Sequence, residues 1–151
     1  MENEIEITRN KAQELIVQLM YSFLILEETK VPINFQESVQ EACKMPYEDC
    51  DIYIKEVLIK SLKNQEIITD YISKFLINWN FSRLNTTIQA ILITSVAEYF
   101  IEGLGTDKAV IINNAVKFAK KFGDGGEKDY KFVNAILDKC LNGKGTSLLL
   151  N

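Results

Sequence analysis

Four lysines, Lys120, Lys121, Lys128 and Lys131, flank one glycine-rich loop, GDGGEK, near the end of the chain. Cations grouped in this way can follow a phosphate backbone, because each neutralised phosphate releases condensed counterions. Phe132 comes directly after them. A ring beside cations can carry an unstacked base, a contact of about 1–3 kcal/mol. Each feature also has a plainer reading. Lysines often line a solvated helix face, and Phe132 can equally be a second contact between helices. Asn134 is expected to be buried and to bond a neighbouring loop backbone rather than RNA.

Other groupings exclude more than they suggest. The sequence contains no histidine, which removes imidazole triads, HExxH zinc sites and histidine proton shuttles. Cys43, Cys50 and Cys140 lack CxxC spacing and read as reduced, small apolar residues. Glu48, Asp49 and Asp51 could approach a divalent cation, but they stand where acidic residues stabilise a helix start; no metal is expected. Gly103-Leu104-Gly105 and the glycines at 123–126 match neither phosphate-loop pattern. They read as helix stops, and no cofactor is expected.

The charge is unevenly placed. Residues 1–100 carry 9 Lys+Arg and 15 Asp+Glu, whereas residues 101–151 carry 8 Lys and 6 Asp+Glu, within a net charge of −4. Any polyanion site must therefore be a local patch. With 47% hydrophobic and 25% charged residues, the chain suits one globular domain with a real core. No apolar run approaches the roughly 18 residues of a membrane span. The start, MENEIEITRN, is acidic where a leader is basic, so a cytoplasmic protein is expected.

The elements that must position these residues are helices. All seven glycines follow residue 102, the only prolines are Pro32 and Pro46, and the intervening segments carry apolar residues at three and four. The pattern predicts all-α structure with helices over 8–28 (Thr8 as N-cap), 34–44, 48–63, 65–78, 87–102, 108–122 and 130–142. Phe35, Val39 and Ala42 face inward in the second, and Ile52, Ile54, Val57, Leu58 and Leu62 form the stripe of the third. Asn64 either separates or only bends the third and fourth helices. Thr86 with Gln89 fits a capping box, and Asp107 and Asp129 fit caps for the last two helices. The 87–102 segment is apolar on most sides, as befits a central helix.

INNAVKFAKKFG at 112–123 and KFVNAILDK at 131–139 resemble the NusB family of transcription antitermination factors, whose pattern there runs roughly vvINEAVeLAKkfG, a loop, then KFVNGvLDk. The resemblance continues through NW at 78–79, RL at 83–84, AIL at 90–92, Glu98 and RNKAQELIVQLMY at 9–21, and so covers about residues 8–142. It implies an all-α fold of about seven helices in two packed subdomains, with residues 1–142 as the RNA- and protein-binding domain and 143–151 as a tail. It also implies no catalysis, and binding of single-stranded boxA-like RNA together with the ribosomal protein NusE in the RNA polymerase antitermination complex. Carried over by motif, the RNA side comprises Arg9, Lys11, Tyr21, Phe75, Phe122, Lys128, Lys131 and Phe132.

The chain departs from the family pattern at several positions. Asn10 and Gln13 stand where the first helix is usually basic. IQAILITS at 88–95 replaces DRAILRLA, Asn114 replaces a glutamate, and Ala135 replaces a glycine. The missing cations are expected to weaken RNA binding and flatten its salt dependence. The alternative is a protein-interaction module on the same fold with its RNA grip weakened. Apolar surface that meets NusE can also pair two copies as a homodimer. An enzyme is not expected, since the sequence shows no glycine-rich methyl-donor loop.

Overall fold

The computed structural model describes residues 8–123, 125–143, 148 and 149. Among them are seven α-helices, two short 3-10 turns and no strand, as the apolar periodicity predicts. α1 (Arg9–Glu28) begins where Thr8 Oγ1 accepts the Lys11 N–H at 3.2 Å. Its inward face, from Ala12 to Leu24, is buried. α2 (Phe35–Cys43) is capped by Asn34, whose Oδ1 accepts the Glu37 N–H at 3.1 Å. Val39 is its fully buried residue, while Phe35 and Ala42 are half-buried against the core.

α3 (Ile52–Lys63) starts later than the expected 48. The Asp49 and Cys50 N–H groups bond the Pro46 and Tyr47 carbonyls, which closes a separate 3-10 turn over Tyr47–Asp49. The helix then starts at Asp51, whose Oδ1 accepts the Tyr53 N–H at 2.8 Å, so this carboxylate serves as an N-cap. In this register Ile52 is 77% exposed and Tyr53 takes the inward position, correcting the expected stripe. Asn64 ends α3 and starts α4 (Gln65–Ser73). It is buried, and its side-chain amide donates to the Lys60 carbonyl at 2.9 Å while its own carbonyl accepts from Ile68 N–H. The two helices are therefore separate, joined by a residue that satisfies both ends. α4 stops five residues before the expected 78. The Lys74, Phe75 and Leu76 N–H groups bond carbonyls three residues back, the tightening common at a helix end, and Asn78 then turns left-handed at φ 64°.

α5 (Thr86–Phe100) is capped by Asn85, whose Oδ1 accepts the Ile88 N–H at 2.9 Å. The Thr86–Gln89 capping box does not form, because Gln89 instead donates to the Leu84 carbonyl at 2.8 Å. Every residue from Ala90 to Tyr99 is buried. α6 (Lys108–Phe122) has the expected bounds. α7 (Glu127–Cys140) begins before Asp129, which lies in its first turn rather than at its cap. Helices α1, α3, α4, α6 and α7 all pack on α5. α1–α3 pack on one another and α4–α7 likewise, but α1 also meets α5 and α6, and α3 meets α4 and α5, so both sets share one core. Leu148 and Leu149 rest half-buried against this core. The three cysteines are free and buried. Burial, with Cys50 alongside, pushes the Cys43 thiol up to about 11, and burial pushes Cys140 up to about 12.

Candidate nucleic-acid interface

The start of α1 and the last two turns of α6 enclose an open groove of about 640 Å³. Asn10, Lys11 and Glu14 line one wall, and Asn114, Lys117, Phe118, Lys120 and Lys121 the other. The lysines at 117, 120 and 121 are three and four apart, so one helix face presents them together. Glu14 lies between the walls. Its carboxylate meets Lys121 Nζ at 2.7 Å and Lys11 Nζ at 3.6 Å. The Lys121 hydrogen bond, together with nearby lysine charge, holds the Glu14 carboxyl below its ordinary value. Among the described residues, four lysines against one carboxylate leave the groove positive in a protein that is negative overall, an arrangement that concentrates an anionic ligand locally.

Lys11, Glu14, Gln18 and Tyr21 recur along one face of α1. The basic groove is therefore followed by a second hollow of about 370 Å³, in which Tyr21 and Phe122 face each other across Val17, Gln18, Ser22 and Thr87. Among the described residues its lining contains no charged side chain. Phe122 stacks on Phe118 with centroids 6.3 Å apart.

The turn after α6 fixes the other lysines. Gly126 has φ 64°, and the Gly125 N–H donates to Asp129 Oδ2 at 3.0 Å. A Cβ on Gly125 would overlap that carboxylate. Lys128 and Lys131 then project, exposed, from the first turns of α7, whose N-terminal dipole adds positive potential. Lys131 pairs with Glu127 one turn back, whereas Lys128 makes no ion pair among the described residues. Lys120 Nζ sits 4.5 Å from the Tyr130 ring centre, linking this surface to the α1–α6 groove.

The structure thus brings Lys11, Tyr21 and Phe122 to one face, and Lys128, Lys131 and Phe132 to the adjoining start of α7. Arg9 and Phe75 are turned elsewhere. The Arg9 guanidinium lies over Tyr53 on α3, 3.8 Å from the ring centre. Phe75 packs edge-on against Tyr71 at 5.3 Å, and the Tyr71 hydroxyl donates to the Cys140 carbonyl at 2.6 Å. Phe132 is half-buried against the core and 6.4 Å from the exposed Trp79, so it makes a helix contact while keeping part of its ring outside. Asn134 is exposed, contrary to the buried role expected of it, because it falls about 100° around α7 from Val133, beyond the edge of the buried stripe.

The departures in the basic pattern also change meaning. Gln13 and Ile93 are buried, so a cation at either position would face the core and could not reach a phosphate. Gln13 donates to both oxygens of buried Glu98 and accepts from Asn114. The replacements at 13 and 114 are two ends of one hydrogen bond, and the one at 13 is not a lost RNA contact. Sequence reasoning omitted Lys117 and Trp79 from the site. The spacing of Lys117 with Lys120 and Lys121 was a usable signal; the exposure of Trp79 depended on the left-handed turn at Asn78.

A buried central helix packed by five others, with a lysine-lined groove beside it, defines an all-helical protein of the NusB fold. T. maritima NusB superposes with a TM-score of 0.76 at 22% identity, over 95% of this chain and 96% of that one. A structure of the antitermination factors NusB and NusE in complex with dsRNA matches at 0.60 and 22% identity, over 88% of this chain and 95% of that one. The NusB family profile matches residues 10–142. The transcription antitermination protein NusB of Clostridium tetani is 32% identical, over 87% of this chain and 95% of the relative; that of Clostridium botulinum is 33% identical, over 90% and 96%. The chain belongs to the NusB family.

Proposed function

We propose that this protein is a cytoplasmic, non-catalytic transcription antitermination factor. It binds boxA-like single-stranded leader RNA together with the ribosomal protein NusE, and so supports antitermination by RNA polymerase. The observation that carries this reading is the positive groove between α1 and α6, continuous through Lys120 and Tyr130 with the lysines of α7. Lys11, Lys117, Lys120, Lys121, Lys128 and Lys131 take phosphates there, and Tyr21, Phe122 and Phe132 offer rings to unpaired bases. The curated relatives are named antitermination proteins, and a fold neighbour was solved with NusE and RNA.

Fluorescence anisotropy with a labelled boxA-like RNA, with and without NusE, tests the reading. Saturable binding that weakens with salt is expected. Absence of binding at about 50 mM salt, with NusE present, would leave the protein-interaction module as the function. The ion pairs of Glu14 with Lys11 and Lys121, and of Glu127 with Lys131, favour that second reading to a limited degree, since phosphate must displace them.

A further inference from the structure

Beyond the lysine groove, the segment between α4 and α5 builds a second hollow of about 590 Å³, lined by Ser73, Asn78, Trp79, Asn80, Phe81 and Arg83. Trp79 is 60% exposed, an unusual state for the chain's single tryptophan. The segment that holds it is pinned at three places. Phe81 is buried in the core. Asn80 Oδ1 accepts the Ser82 N–H at 3.2 Å, and the 3-10 turn Phe81–Arg83 closes on Leu84. Asn78 adopts the left-handed conformation, which asparagine tolerates better than most residues. The indole is thus held out by a fixed backbone.

The chemistry of the hollow is that of a nucleotide. It combines a large ring face, the Asn78 amide and the Asn80 Nδ2 (its Oδ1 is taken by Ser82) to address base edges, and a guanidinium, with no carboxylate on its walls among the described residues. Arg83 is one of only two arginines in the chain and makes no ion pair among the described residues. Trp79 also lies beside Phe132, at 6.4 Å and 58°. Rings so tilted do not sandwich a single base; each offers its own face to a different one. An acidic peptide would use Arg83 but leave the indole and amides without matched partners, so the hollow favours single-stranded RNA.

We propose that Trp79, Arg83, Asn78 and Asn80 form a further nucleotide subsite, in which a base stacks on the indole and its phosphate meets the guanidinium. It extends the RNA path from Phe132 toward the α4–α5 segment. This rests on the RNA-binding reading above, and the experiment separates the two.

Because Trp79 is the single tryptophan, its emission on excitation beyond tyrosine absorption reports the surroundings of the indole, the Phe132 ring included, so the Trp79 and Arg83 variants decide the subsite, while anisotropy of labelled boxA-like RNA reports binding anywhere. Unlabelled RNA is expected to quench Trp79 along the same curve that anisotropy traces. Trp79→Ala should weaken binding about tenfold, Trp79→Phe much less, and Arg83→Gln should lower the log–log salt slope by about 0.7. Circular dichroism melts check that each variant is folded. Normal anisotropy with unchanged Trp79 emission, and full affinity in Trp79→Ala and Arg83→Gln, would overturn the subsite and leave the function standing. A change in Trp79 emission with NusE alone and none with RNA would assign the surface to protein and also overturn it. No RNA binding by the wild-type chain would end both proposals.

Discussion

Lys131 and Phe132 are neighbours with different energetic roles, and substitutions should separate them. Lys131 is exposed and, among the described residues, pairs with Glu127 alone. Its replacement by glutamate removes a pair and adds an i, i+4 repulsion, together under about 1 kcal/mol. Lys131→Glu is therefore expected to weaken RNA binding several-fold while moving the melting temperature by only a few degrees. Phe132 shares its ring between the core and Trp79. Phe132→Ala should lose affinity and about 1–3 kcal/mol of stability, less than for a fully buried phenylalanine. Unchanged affinity in both variants, measured by anisotropy, would remove the start of α7 from the RNA path. The buried thiols give a prediction independent of RNA. Burial holds the Cys43 thiol up at about 11 and Cys140 at about 12, above the ordinary thiol value near 9.0, so the folded state holds their protons more tightly than the unfolded state does. The stability this confers is present below pH 9.0 and declines as pH rises toward those folded values. Urea midpoints should therefore fall between pH 9 and 11, and Cys140→Ser should flatten that decline. A midpoint unchanged across this range would contradict the burial of the thiols. At neutral pH the native protein should resist alkylation at Cys43, Cys50 and Cys140 until unfolded.

Between elements, the informative contact is the polar bridge where α1, α5 and α6 meet. Gln13, Glu98 and Asn114 are each buried, and Gln13 connects the other two. Asn114→Glu would place a second carboxylate beside Glu98 in that interior, at about 3 kcal/mol or more. Adding Gln13→Arg supplies a cation between the two carboxylates and should recover much of the loss, a coupling of about 1–3 kcal/mol in a double-mutant cycle. Additive losses in urea unfolding would show that the bridge does not form. This contact also marks how far the sequence could be read. The end of α6 followed from Gly123, and the central place of α5 from its apolar surroundings, because both are local or compositional signals; Asp107 holds the N-cap position of α6 but its side chain makes no capping bond. The end of α4 and the register of α3 did not follow, since they depend on 3-10 bonds that leave the apolar period intact. The candidate groove was legible only in half. Lys120 and Lys121 stand out in the sequence, but Glu14, which meets Lys121, lies 107 residues away, and no spacing rule connects them. The burial of Gln13 was equally invisible, and it determines whether its replacement of a basic residue touches RNA at all.

For the whole molecule, the issue is how a protein of net charge −4 holds a polyanion. Long-range attraction works against it, so binding must come from charges within about one Debye length of the strand, roughly 8 Å at physiological salt. On the proposed path six lysines would meet that condition across the groove and the start of α7: Lys11, Lys117, Lys120, Lys121, Lys128 and Lys131. If all six contacted phosphate, the log–log salt slope would be about −4 for a single strand. Lys11, Lys121 and Lys131 begin in ion pairs, so part of their gain on binding RNA is offset by the partner they give up. A slope nearer −3 is expected for the wild-type chain. Lys117 and Lys120 make no ion pair among the described residues, and their joint replacement by alanine should reduce the slope by about 1.4 with little effect on folding. Glu14→Gln acts in the opposite direction. It frees Lys11 and Lys121, removes a negative charge from the groove, and should tighten binding most at low salt. Because the Glu14 carboxyl is held below its ordinary value by Lys121, its pair with that lysine persists at neutral pH and is lost only as pH falls through the lowered value. The gain from Glu14→Gln should accordingly be present at pH 7 and shrink under acid conditions, where the wild-type glutamate is itself neutral. A salt titration of Lys117→Ala/Lys120→Ala that matched the wild-type slope, or an Glu14→Gln variant no tighter than wild type at pH 7, would place the strand elsewhere on the protein.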